Sequence, residues 1–117
     1  MRILYLEDSP SDIDLMRRYV KSIKGSEAFF AQREAAAVEH LEAFHPDIFL
    51  VDVMINGVPV HDLIKRALDE HLADHVVLVT AKVLPSELKY YHSLGCQHVI
   101  AKPFTVDDLD RVFTQIA

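Results

Sequence analysis

At 117 residues the chain is long enough for one core, and with 50% hydrophobic and 26% charged residues it has a globular composition. A formal net charge of −6 removes electrostatic support for nonspecific nucleic-acid binding, so no direct nucleic-acid role is expected. The lone cysteine, Cys96, excludes an internal disulfide, and no apolar run approaches the roughly 18 residues of a membrane span.

The first apolar run, Ile3-Leu4-Tyr5-Leu6, predicts a buried strand and ends on Glu7-Asp8. It leads straight into acids and has no signal-peptide form, so a cytoplasmic domain without a membrane role is expected. Ser9-Pro10-Ser11-Asp12 has the pattern of a helix start, with an N-cap, a proline at the first helical position and an acid at the third. Ile13, Met16, Tyr19, Val20 and Ile23 recur at helical spacing up to Gly25, a stop signal. Ala28 to Ala31 makes a weak second strand, and Ala35 to Phe44 a second helix with Val38, Leu41 and Phe44 on one face. His45-Pro46 breaks that helix before the third strand, Ile48-Phe49-Leu50-Val51, which ends on Asp52.

Val60 to Leu72 predicts a third helix burying Leu63, Ile64, Ala67 and Leu68. The fourth strand, Val76-Val77-Leu78-Val79, ends at Thr80, and Pro85 opens a fourth helix that ends at Gly95. Val99-Ile100-Ala101 is the fifth strand and runs into Lys102-Pro103. Thr105-Val106-Asp107-Asp108 caps a fifth helix that turns Leu109, Val112, Phe113 and Ile116 inward. No repeat, low-complexity tract or linker interrupts the alternation, so a single domain over residues 1–117 is expected.

Five βα units with short connections imply right-handed crossovers and helices on both faces of the sheet. The expected fold is α/β: a flavodoxin-like (βα)5 three-layer sandwich whose five-stranded parallel sheet has the order 2-1-3-4-5. In that order the ends of strands one, three, four and five surround one crevice, where such sheets bind ligands. The crevice would collect Glu7, Asp8, Asp52, Thr80 and Lys102. Two unit charges about 4 Å apart repel by about 4 kcal/mol at an effective dielectric of ~20, so packed carboxylates must bind protons or a cation. Three carboxylates and one lysine (−3 + 1) sum to −2, which a divalent metal balances, and oxygen donors suit Mg²⁺. Lys102 can then act as a point charge on an anionic ligand and Thr80 as a hydrogen-bond donor to it. Acids, a metal, a lysine and a hydroxyl together point to phosphoryl transfer, with Asp52, alone at its strand end, as nucleophile.

The segments ILYLEDSPSD, PDIFLVD, VVLVTA and AKPFT, in that order and spacing, resemble the receiver domains of bacterial two-component response regulators. The resemblance implies that Asp52 accepts a phosphoryl group from a sensor histidine kinase or a histidine phosphotransfer protein. It implies Mg²⁺ at Glu7, Asp8, Asp52 and the backbone carbonyl of Met54, with Thr80 and Lys102 on the phosphoryl oxygens. It further implies an output face of helix four, strand five and helix five, read by an output domain or downstream protein. A cis peptide before Pro103 is also common in the family. Such a chain catalyses its own phosphorylation and dephosphorylation but is not an enzyme with a separate substrate. A monomer or weak homodimer is expected, because Gln97-His98 replaces the acidic pair common in dimerising relatives. An end close to the last helix favours a piece of a longer regulator or hybrid kinase over a stand-alone receiver.

The chain also departs from the family pattern. Val99 stands where an aromatic switch residue is usual, leaving His98 as a possible deputy. The loop after Asp52 keeps a glycine and a proline, but at shifted places, Gly57 and Pro59. Met54 and Lys82 would flank the approach of attacking water, an apolar Met54 shielding an acyl phosphate. These departures support one alternative, a receiver-like interaction module that works without phosphate. An aspartate-nucleophile phosphatase of the haloacid-dehalogenase type would need an acid–base aspartate where this chain has Met54. A flavin-binding flavodoxin would need a phosphate-cradling loop where it has Glu7-Asp8. The seven histidines are expected on surfaces and element ends, Cys96 as a small residue packed behind Gly95, and Tyr90-Tyr91 as one exposed and one buried ring.

Overall fold

The computed structural model of the chain describes residues 1–81 and 84–116. Its elements run β1 (Arg2–Leu6), α1 (Pro10–Lys21), β2 (Glu27–Ala31), α2 (Glu34–Phe44), β3 (Ile48–Asp52), the short pair β4 (Met54–Ile55) and β5 (Val58–Pro59), α3 (His61–Asp69), β6 (His75–Thr80), α4 (Pro85–Ser93), β7 (His98–Ala101) and α5 (Val106–Ile116). The five longer strands pair in parallel in the order β2-β1-β3-β6-β7. Counting those strands alone, this is the expected 2-1-3-4-5 order of a flavodoxin-like (βα)5 sandwich.

Side chains along each strand alternate between the faces of the sheet, which explains why the strands are almost uniformly apolar. Ile48 and Leu50 of β3 pack with Ile3, Tyr5, Val77 and Val79 under α1 and α5. Phe49 and Val51 pack with Leu4, Leu6, Val76 and Leu78 under α2, α3 and α4. Each fully buried side chain of this kind contributes about 1.5–3 kcal/mol of transfer free energy, enough for the core to hold the strand ends in register. That register sets Leu6 beside Val51, Asp52 beside Val79 and Thr80 beside Ala101. Glu7, Asp52, Thr80 and Lys102 therefore emerge along one edge.

Several boundaries differ from expectation for identifiable reasons. The third helix ends at Asp69, because His71 takes a left-handed backbone (φ 52) and the Leu72 amide bonds back to the Ala67 carbonyl at 3.0 Å. Leu68 is only partly buried. Phe44 is 52% exposed; it lies tilted against His40, whose ring stacks in turn on Phe29 of the edge strand β2, instead of entering the core. The loop after Asp52 forms a tight hairpin, β4 against β5, turning on Asn56 (φ 50) and Gly57 (φ 76). Positive φ at both central residues is the requirement of a type I′ turn, which Asn-Gly meets at little cost. At the last helix, Thr105 Oγ1 accepts the Asp108 amide at 3.2 Å while Asp108 accepts the Thr105 amide at 2.9 Å, the expected capping box. Tyr91 is buried and Tyr90 exposed, and Cys96 is buried. No helix among the described residues is long and apolar enough to cross a membrane.

Candidate functional site

Glu7 follows β1 and its side chain is fully buried. Tyr5 and Glu7 share one face by the two-residue period of the strand, and the Tyr5 hydroxyl donates to Glu7 Oε1 at 3.0 Å. The Asp8 amide donates to Oε2 at 2.9 Å. Burial pushes the Glu7 carboxyl up to about 7; the Lys102 ammonium works against that rise and the Asp52 carboxylate adds to it. Burial and the neighbouring carboxylates hold the Tyr5 phenol well above its ordinary range, so it remains a donor. Asp8 is pulled upward by burial, but the Asn56 amide, bonded to its Oδ2 at 2.8 Å, together with its hydrogen bonding at Glu7 and the Lys102 ammonium, outweighs this and keeps it below the usual carboxylate range.

Asp52 closes β3 and is 8% exposed. Its Oδ1 accepts the Met54 amide at 3.1 Å and its Oδ2 accepts Lys102 Nζ at 2.8 Å. Lys102 also pairs with Glu7 and, at 3.0 Å, with Asp12 Oδ2. Burial alone lowers an ammonium pKa, yet the bonds to Asp52, Glu7 and Asp12 outweigh it and lift Lys102 well above its ordinary value. The Lys102 amide bonds to the Thr80 carbonyl at 2.9 Å, tying the ends of β6 and β7 together. Thr80 is buried at the end of β6. The Lys102–Pro103 peptide is cis, as the resemblance implied.

All five side chains singled out at the strand ends thus converge on one edge. Carboxylate oxygens of Glu7, Asp8 and Asp52 lie within 4.8 Å of one another, and they are the one such acidic, His or Cys group among the described residues. Hard oxygen donors this close fit a divalent cation such as Mg²⁺. Met54, a residue 44% exposed, stands beside them, its amide bonded to Asp52 Oδ1. Lys82 lies outside the described residues.

Asp12 has the sequence pattern of a helix-start acid, but its place in the structure differs. The Ser9 side chain makes no cap bond to the helix and instead meets Ser11 Oγ at 3.2 Å, while Asp12 reaches Lys102. Side chains on a helix lean toward its N-terminus, so an acid in the first turn of α1 hangs over the strand ends. With every acid ionised the formal charge of the pocket is therefore −3 rather than −2, from four carboxylates and one ammonium (−4 + 1). Val99 packs partly buried against the α2–α4 side of the core. His98 lies against His75, its ring centroid 6.5 Å away, at the other end of β6 from Thr80, so it does not replace the missing aromatic.

Residues 3–114 match the response regulator receiver domain family. The "Probable C4-dicarboxylate response regulator DctR" of Halalkalibacterium halodurans is 26% identical over 117 residues, covering 98% of this chain and 50% of that protein. The chain thus spans about half the length of that relative. Among solved structures, the signal receiver domain of a Vibrio parahaemolyticus protein superimposes with a TM-score of 0.87 at 21% identity, covering 98% of this chain and 88% of that one. The receiver domain of a Pseudomonas aeruginosa sensor histidine kinase, described with a magnesium ion coordinated in its active-site cleft, gives 0.79 at 22% identity over 97% and 94% of the two chains. The two superpositions share the fold, and the match across nearly the whole sequence makes this chain a member of the response regulator receiver domain family.

Proposed function

We propose that the chain is the phosphoacceptor receiver of a two-component system, with Asp52 as nucleophile. The observation that carries this reading is the pairing of Asp52 Oδ2 with Lys102 at 2.8 Å beside an acidic group whose oxygens lie within 4.8 Å. Glu7, Asp8, Asp52 and the Met54 carbonyl would hold Mg²⁺, which when bound neutralises charge between the carboxylate and the phosphoryl oxygens. The Asp52 carboxylate attacks phosphorus, a P–Oδ bond forms, and the P–N bond of the donor phosphohistidine breaks. The donor imidazole leaves with the electron pair and takes up a proton. Lys102 turns its ammonium to one phosphoryl oxygen, and the Thr80 hydroxyl donates to another.

The partner is a sensor histidine kinase or a histidine phosphotransfer protein, and the product is a modified form of the chain itself rather than a released compound. The readout would pass to an output domain or downstream protein through α4, β7 and α5. Large apolar side chains stand exposed on or beside α4 and α5: Leu84 at 48%, Tyr90 at 47% and Val106 at 49%. With Val99 on β7, transmission in this chain runs without a swinging ring. We place the domain in the cytoplasm, as a monomer or weak homodimer.

Incubation with Mg²⁺ and a small acyl phosphate should add one phosphoryl group by intact mass, and Asp52→Asn should abolish it. An undiminished adduct on that variant defeats the assignment, and no adduct on the wild type favours a phosphate-independent interaction module. Mg²⁺ uptake should also depend on pH. Glu7, raised to about 7, is protonated below that pH and ionised above it, so affinity falls as pH drops. Titration calorimetry should show about tenfold weaker binding at pH 6 than at pH 8, a difference that Glu7→Gln removes. Equal affinities at both values in the wild type contradict the role given to Glu7. Finally, Met54→Asn should speed loss of the phosphoryl group severalfold by opening the site to water, and an unchanged or slower rate rejects the shielding role.

A further inference from the structure

We infer that Asp12 is a positioning residue for Lys102, drawing the ammonium partly off the carboxylates that take up the metal and so setting how readily the site binds it. The inference rests on the phosphoacceptor reading of the site. An ammonium offers three donors, and three carboxylates, those of Glu7, Asp12 and Asp52, stand at ion-pairing distance from Lys102. Glu7 and Asp52 also belong to the acidic group whose oxygens lie within 4.8 Å, and Asp12 does not. Two of the three partners are therefore contested between the ammonium and a divalent cation, while the third answers to Lys102 alone.

The placement of Asp12 suits that role. It is held on the first turn of α1, where Pro10 starts the helix and the Ser9 carbonyl accepts the Ile13 amide at 3.0 Å. Its carboxylate is diverted from the helix end, which the local sequence favours, to a residue that follows β7 and is remote only in sequence. The nearby cations of the same helix are engaged elsewhere. Arg17 pairs with Asp14 at 2.9 Å and lies over the Phe30 ring at 4.8 Å, and Arg18 bonds to the Asp14 carbonyl. Among the described residues, Lys102 is the cation at ion-pairing distance from Asp12. The Asp12 side chain is 28% exposed and that of Lys102 13%, so the pair is screened less than a surface pair. Without Asp12, the ammonium has only Glu7 and Asp52 to satisfy it and competes harder with the metal for both.

Loss of a negative charge weakens cation binding whatever its route, so the test must separate a route through Lys102 from the bare field. Titration calorimetry with MgCl₂ at low ionic strength on the wild type, Asp12→Asn, Lys102→Met and the double variant does so as a double-mutant cycle. Asp14→Asn removes a charge from the same helix as a control. Asp12→Asn should weaken Mg²⁺ binding about threefold to tenfold in the wild-type background and less than about twofold beside Lys102→Met. Asp14→Asn should leave it unchanged. The same fold-change in both backgrounds, or none in the wild-type background, overturns the inference while wild-type Mg²⁺ binding and phosphoryl uptake leave the phosphoacceptor reading standing. A wild type that neither binds Mg²⁺ nor accepts a phosphoryl group from a small acyl phosphate overturns that reading, and the inference with it.

Discussion

The ammonium of Lys102 stands among the carboxylates of Glu7, Asp8, Asp12 and Asp52 at one edge of the sheet. Each pair of like charges about 4 Å apart costs about 4 kcal/mol at an effective dielectric of ~20, so the edge is not self-sufficient. One positive charge among four carboxylates offsets only part of that repulsion, and burial, which pushes the Glu7 carboxyl up, adds to the cost of keeping the edge ionised. A carboxylate group left in deficit of positive charge is receptive to a divalent cation. The same feature that makes the edge costly makes it chemically useful.

Everything else in the fold serves to hold that edge. Parallel pairing of β1, β3, β6 and β7 brings their C-terminal ends to one place, and the Lys102 amide on the Thr80 carbonyl joins the last two. The apolar strands are buried on both faces, which supplies the stability the edge lacks. The β4–β5 hairpin delivers the Asn56 amide to Asp8 and the Met54 amide to Asp52, so backbone donors stand beside the acids as well. The Asn56 amide favours the ionised form of Asp8 that a cation needs.

Most of this was legible in the sequence because a doubly covered parallel sheet writes its strands as continuous apolar runs, and the reactive residues stand directly after them. Glu7, Asp8, Asp52, Thr80 and Lys102 could be named from that rule, and their convergence follows from the sheet order. What escaped depends on tertiary context. Asp12 carries the local signature of a helix cap, and nothing in its neighbours reveals that Lys102 will outbid the backbone for it. Phe44 fits the apolar stripe of α2, but periodicity does not say where the sheet beneath ends. Asn56-Gly57 is a turn signal by its residue types alone, and the hairpin it makes follows from them.

Charge balance around Lys102 governs this edge, and urea unfolding of Lys102→Met at pH 8 and low ionic strength reads that balance out. Without Mg²⁺ the variant should lose about 2–4 kcal/mol of stability, because four carboxylates are left with no ammonium. Millimolar Mg²⁺ should then restore more stability to the variant than it adds to the wild type. A variant that unfolds at the same urea concentration as the wild type, with and without Mg²⁺, would contradict the account.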